Sequence, residues 1–286
     1  ALPILSNHVQ MSYYFLFVIL FIVGAYFEDA WRNKTLPKFF KASAVVFVAA
    51  LIGVAANLSN LYHTYTYSKE TMRGKSELVE TGDAAKQTSS GLDRDYITNW
   101  SYGIGETWTL LVPNFKGGSS SAPLSQSETA MEKANPVYSS LYNSFPQYFG
   151  DQPWTAGPVY VGSFVLFLFV LGCFIVKGPL KWALLGATFF SIVLAWGKNF
   201  MPLTDFFIDY IPMYNKFRAV SSILVIAEFT IPLLAIFALK HVLDEPGIWK
   251  KYKKAFGISL ALTAGVALLL AVAPGSLGSG FVPAQE

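Results

Sequence analysis

The chain has 286 residues, 53% of them hydrophobic and 14% charged, with a mean hydropathy of +0.42. That balance excludes an ordinary soluble domain. A formal charge of +3, with no basic stripe interleaved with aromatics, argues against nucleic acid as a partner. The single cysteine, Cys173, leaves no disulfide framework or cysteine metal site within the chain.

Apolar stretches follow in order at Met11–Phe27, Ala42–Leu58, Pro158–Val176, Trp182–Gly197, Ala219–Leu239 and Phe256–Ala273. A crossing of the bilayer takes about 17–25 mostly apolar residues. Backbone groups in lipid must be satisfied internally, so these stretches are read as helices. Trp182–Gly197 is the shortest. The expected fold class is all-α, a polytopic transmembrane helical bundle of about six spans with an irregular, short-helical insert. The expected divisions are residues 1–58 with two spans, an insert at 59–157, and residues 158–286 with four spans. Aromatics such as Tyr13, Tyr14, Trp31, Tyr160, Trp182 and Trp196 sit at span ends, as interfacial anchors do.

Charge asymmetry gives an expected orientation. Arg32, Lys34, Lys38 and Lys41 follow the first span, Lys177 and Lys181 the third, and Lys240, Lys250, Lys251, Lys253 and Lys254 the fifth. These short connections alternate onto one side, which the positive-inside rule makes cytoplasmic. Residues 1–10, 59–157, 198–218 and the tail then lie outside. The absence of an initiator methionine or charged leader favours a segment of a larger membrane protein over a processed mature chain.

Within the insert, TGDAAKQTSSG reads as a polar linker and KGGSSSAPLSQSETA as a mobile low-complexity run. LDRDYITNWSYGIGETWTLLVPNFKGG and FPQYFGDQPWTAGP are dense in aromatics and broken by glycine and proline. Asp93 and Asp95 flank Arg94 and are expected to form a surface ion pair.

NHVQMSYY, TYSKETMRGKSEL, WSYGIGETWTLLVPNFKGG, QYFGDQPWTAGPVYVG and MYNKFRAVSSIL occur in this order along nearly the whole chain. Together they resemble the YfhO-like membrane proteins in their Bacteroidetes-type form. The resemblance implies a relative of the GT-C glycosyltransferases, in the bacterial cytoplasmic (inner) membrane. Such enzymes take a sugar from a polyprenyl-phosphate donor outside the membrane, and the implied acceptor is a cell-envelope polymer. It also implies a family longer than this chain at both ends, with an essential acidic residue in an external loop preceding this region. The cofactor is left open by the residues, and no metal-binding signature is present.

A lipid-phosphate donor needs cations at the interface. Lys198, Lys216 and Arg218 bracket the segment between the fourth and fifth spans, and Arg218 falls where a helix begins. Each could equally snorkel to headgroups. His8, with Asn7 and Gln10, forms a polar cluster at the start of the first span and is a candidate for proton transfer, or a cap. His63 and His241 have weaker contexts. Glu106 in GIGET is a candidate general base or a helix cap. Glu228 lies inside the fifth span with Pro232 one turn on, which marks a polar cavity or an interhelical partner. The competing readings are a transporter or flippase built around Glu228, and a non-catalytic assembly subunit that docks partners through the insert. A cavity in the outer leaflet favours the transferase, and a midplane cavity at Glu228 favours transport.

Overall fold

The computed structural model describes residues 8–71, 73–74, 91–273 and 275–278. Asn7, the linker TGDAAKQTSS and the tail after Gly278 lie outside the described residues. Among the described residues the structure is helical, and its single β-bridge joins Pro123 to Pro146.

Two compact units form. The first comprises Ala1–Asn99 and Val176–Thr230, and the second Trp100–Ile175 and Ile231–Glu286. The division falls inside the insert, so its first forty residues belong with the opening helices and the rest with the closing ones.

In the first unit, α1 (Val9–Arg32) and α2 (Leu36–Ala55) are apolar except near the turn that joins them, where Glu28, Asp29, Arg32, Lys38 and Lys41 lie. At 1.5 Å per residue they are about 36 and 30 Å long, enough to cross a bilayer. The turn between them is closed by Lys34 at φ 55° and by Pro37 in the first turn of α2. Most side chains of α2 are exposed, among them Phe40, Val45, Phe47 and Ile52, while Phe39 meets Phe27 of α1 at 5.6 Å. On a membrane helix such a face meets lipid. α1 instead packs on α7 (Pro179–Ala195), where Phe17 and Phe21 meet Phe190 with ring centroids 5.2 and 5.5 Å apart. α3 (Leu58–Lys69) carries the chain onward, and α4 (Arg94–Thr98) is capped by Asp93, whose carboxylate accepts from the N–H groups of Asp95 and Tyr96.

After α7 the chain breaks. A 3₁₀ turn at Gly197–Phe200 leads to α8 (Met201–Tyr210), and the pair is bent by 108°. Gly197 sits at φ 48°, and its carbonyl accepts from the Thr204 hydroxyl at 2.9 Å, which pins the corner. A 3₁₀ turn at Val220–Leu224 then opens α9 (Val225–Asp244), and Thr230 bonds Thr188 of α7 at 2.6 Å in the buried interior.

In the second unit, α6 (Ser163–Ile175) lies against the end of α9 and against α11 (Lys253–Val272), which contains a π-helical turn at Ala261–Gly265. Gly172 makes the contact close: an added Cβ would stand 3.1 Å from Leu234 and 3.3 Å from Ala238. The insert is built from 3₁₀ turns and the short α5 (Glu128–Lys133), capped by Ser127. α10 (Ile248–Lys251) joins α9 to α11.

The six expected spans are matched in part. Four helices are long and apolar enough to cross a membrane: α1, α2, Val220–Asp244 and Lys253–Val272, or five crossings if the bent pair is one. The stretch Pro158–Val176 is helical only from Ser163, about 20 Å, because Gly162 at φ 97° ends an extended entry. Trp182–Gly197 likewise continues into a corner. The low-complexity run also departs from expectation. Its backbone is tied to residues 145–155 through Gly118 N–H to Gln147, Ser120 to Thr155 and Leu124 to Phe145. Main-chain hydrogen bonds do not depend on side-chain variety, which is why composition concealed this order.

Candidate functional site

Arg218 ends an extended step between two left-handed residues, Met213 (φ 67°) and Ala219 (φ 58°). Non-glycine residues adopt that conformation at a cost of roughly 1–2 kcal/mol, so neighbouring contacts must hold them. Tyr13 donates to the Pro212 carbonyl at 2.9 Å, and its ring lies 5.1 Å from Phe217. Gln10 donates to the Arg218 carbonyl at 2.7 Å and to the Tyr14 hydroxyl at 2.9 Å. The exposed Arg218 guanidinium donates to the Tyr96 hydroxyl at 2.8 Å and lies 5.7 Å from the centre of that ring. It is thus oriented by an aromatic partner on an exposed position.

The lysines are placed differently. Lys216 is half-buried, and its ammonium donates to the Arg73 carbonyl at 2.6 Å while Arg73 donates back to the Lys216 carbonyl at 2.9 Å. Burial lowers its pKa. It acts as a strap for the segment. Lys198 is exposed on the 3₁₀ turn at the corner. Arg94 is held by Asp205 and Asp209, one turn apart on α8, with the Asp209 contact at 2.6 Å. The expected pairing of Arg94 with its neighbours in LDRD is therefore corrected: Asp93 is spent as a helix cap, and the arginine reaches across the unit. The i, i+4 spacing of Asp205 and Asp209 on an otherwise apolar helix was the available signal.

His8 is exposed at the N-cap of α1 with no side-chain cap bond, and Gln10 is the member of its cluster that reaches the Arg218 segment. His63 is exposed on α3 beside Tyr62, and His241 pairs with Glu245 at 3.3 Å. Glu228 lies in the first turn of α9 on an exposed face, and Pro232 leaves the Glu228 carbonyl without its helical donor.

From Tyr13 the apolar face of α1 runs into a groove of about 540 Å³ lined by Phe17, Leu20, Gly24, Gly186, Phe190 and Phe207. Tyr13 meets Phe17 edge-on at 5.3 Å and Phe217 at 5.1 Å, so one ring links the Phe17 end of the groove to the segment that carries Arg218. It continues toward a polar recess at Glu28, Asp29 and Arg32 at the far end of α1.

The second polar cluster lies in the second unit. Glu106 is 2% exposed, in the first turn of the 3₁₀ helix Gly105–Leu110. Its carboxylate accepts from the Tyr148 hydroxyl, from the Gly103 N–H at 2.6 Å and from the Asp151 N–H at 3.4 Å. Tyr102 donates to the Glu106 carbonyl at 2.7 Å, and Gln152 N–H donates to the Tyr148 hydroxyl at 3.0 Å. Gly103 and Gly150 are required by close approach, since a Cβ at Gly103 would stand 2.9 Å from both Asp151 and Glu106, and one at Gly150 would strike Tyr148 and Glu106. Glu106 thus joins two separated motifs, GIGET and QYFGDQPW, as a clamp. Its carboxylate faces backbone and Tyr148 and caps backward toward Gly103. Tyr148, Lys116 and Asp151 were not singled out by sequence reasoning, although all three sit in the aromatic-rich motifs.

Burial raises the Glu106 carboxyl above its ordinary 4.5, outweighing the hydrogen bonds from Tyr148, Gly103 and Asp151. Burial also lowers the Lys116 ammonium below 10.5, against the attraction of Asp151 and Glu106. A carboxyl raised on folding contributes stability that is complete below its unfolded pKa and is lost as pH rises through its folded value. The stability advantage of wild type over Glu106→Gln, read by limited proteolysis of the insert, is therefore expected to shrink as pH is raised from 4.5. An advantage that grows over that range would contradict the assignment.

Among the described residues no three His, Cys, Asp or Glu side chains are placed to hold a metal ion. Comparison with known proteins gave no matching family model, no matching curated sequence and no matching solved structure.

Proposed function

We propose that the chain is the membrane part of a YfhO-like, GT-C-type glycosyltransferase, which moves a sugar from a polyprenyl-phosphate carrier to a cell-envelope acceptor outside the bacterial inner membrane. The observation that carries this reading is the apolar groove whose Phe17 end is joined through Tyr13 to the segment that carries Arg218. A long isoprenoid chain in that groove puts its phosphate toward an exposed guanidinium oriented by Tyr96. The acceptor hydroxyl oxygen attacks the anomeric carbon, its proton passes to the acidic residue that the family resemblance places in a preceding external loop, and the bond from that carbon to the phosphate oxygen breaks with its electron pair. Negative charge grows on the departing polyprenyl phosphate, where an arginine fork is worth most. Transport through Glu228 would need an enclosed polar site at mid-membrane, whereas that residue is exposed in the first turn of α9.

The protein in lipid, given a panel of polyprenyl-phosphate sugars and acceptor, is expected to release free polyprenyl phosphate. Gly24 supplies the specific test, because it lines the groove and an added Cβ there meets nothing within 4 Å, so a larger side chain is expected to occupy groove space. At about 0.8 kcal/mol per displaced CH₂, Gly24→Leu is expected to weaken use of long-chain donors about tenfold or more. Use of short-chain donors and the melting temperature should not change. Equal loss with both chain lengths would remove the groove from the account.

A further inference from the structure

A second basic site lies where α10 meets α11, in the short connection between two membrane-length helices. A recess of about 550 Å³ is lined there by Lys250, Tyr252, Lys253, Lys254, Phe174 and Ile258. One neighbouring lysine is already spent: Lys251 bonds Glu245 at 2.5 Å and lies 5.2 Å from the centre of the Tyr252 ring. Lys250, Lys253 and Lys254 are exposed, and none has a carboxylate within ion-pair distance among the described residues. Phe174 and Ile258 are exposed apolar side chains on α6 and α11, on the helical side of the lysines. Trp249 packs edge-on against Phe256 at 4.6 Å and still exposes 57% of its surface, as an interfacial anchor does.

We propose that this recess binds one anionic glycerophospholipid, its phosphate on Lys250, Lys253 and Lys254 and its acyl chain along Phe174 and Ile258. Charge complementarity selects the headgroup. A soluble anion would use the lysines but has nothing to lay on the apolar wall, and a neutral lipid would use the wall but not the lysines. Basic recesses between membrane helices take anionic headgroups in this way.

The test uses the protein in neutral phosphatidylcholine nanodiscs titrated with a phosphatidylglycerol whose acyl chains are brominated, so that bound lipid quenches tryptophan. Saturable quenching at low mole fraction is expected, and Trp249→Phe should remove it. Lysine near a membrane surface contributes about fivefold in affinity each, so the triple change Lys250→Gln, Lys253→Gln, Lys254→Gln should raise the half-saturating fraction about 10- to 100-fold. Phe174→Ser should raise it several-fold. Lys177→Gln with Lys181→Gln, which removes charge from a different connection, should not. Inorganic phosphate at matching concentration should leave the quenching unchanged. The proposal is overturned if the triple variant binds like wild type, if the control pair matches the triple variant, or if phosphate alone displaces the lipid.

Discussion

Replacing Glu106 with alanine is expected to open the insert to protease, with cleavage at Lys116 and Lys133 accelerated by roughly two to three and a half decades. The change strips three donors, the Tyr148 hydroxyl and the N–H groups of Gly103 and Asp151, of an acceptor in a place that is 2% exposed. An unsatisfied buried donor costs about 1–3 kcal/mol, so stripping three of them is taken to cost about 3–5 kcal/mol in all. At 1.4 kcal/mol per decade, that loss gives the stated acceleration if cleavage follows local opening. Glu106→Gln keeps the shape and one acceptor oxygen, so its effect should be about half as large in free energy. A protease digest of Glu106→Ala that matches wild type would show that the clamp does not hold the insert.

The second large effect concerns Arg218. Losing a charge-assisted contact costs about 1.5–3 kcal/mol, so Arg218→Ala is expected to weaken donor binding roughly 10- to 150-fold. Folding should be little affected, because the side chain is exposed and the segment is held through the Arg218 carbonyl by Gln10 and through Lys216 by Arg73. Arg218→Lys should restore only part of the affinity, since a point charge lacks the fork. Tyr96→Phe removes the hydrogen bond at 2.8 Å but leaves the ring, so its effect should be smaller. Arg32→Ala is the control: it lies at the other end of α1, paired with Glu28 at 2.5 Å. If Arg218→Ala and Arg32→Ala change donor affinity equally, Arg218 is an ordinary interfacial anchor.

Hydropathy alone made most of the helices legible. α1, α2, Val220–Asp244 and Lys253–Val272 are long apolar runs, and a run of that length has few alternatives to a helix where no water can satisfy its backbone. The short-helical character of the insert was equally readable, from glycine and proline, although the cap at Asp93 was not. Other features needed the tertiary structure. PVYVG before α6 is as apolar as a helix, but Gly162 takes a positive φ and the tyrosine at 160 bonds Ser163, so the helix starts late. The 108° corner at Gly197 depends on the bond from Thr204, seven residues on. Arg94 chose Asp205 and Asp209, more than a hundred residues away, over the carboxylates beside it, because one neighbour was already capping a helix. Glu106 found Tyr148 forty-two residues later. Sequence by itself determined what depends on sums over neighbours, namely apolar span and side-chain polarity. The choice among equally competent polar partners was decided only when packing fixed which of them shared a buried space.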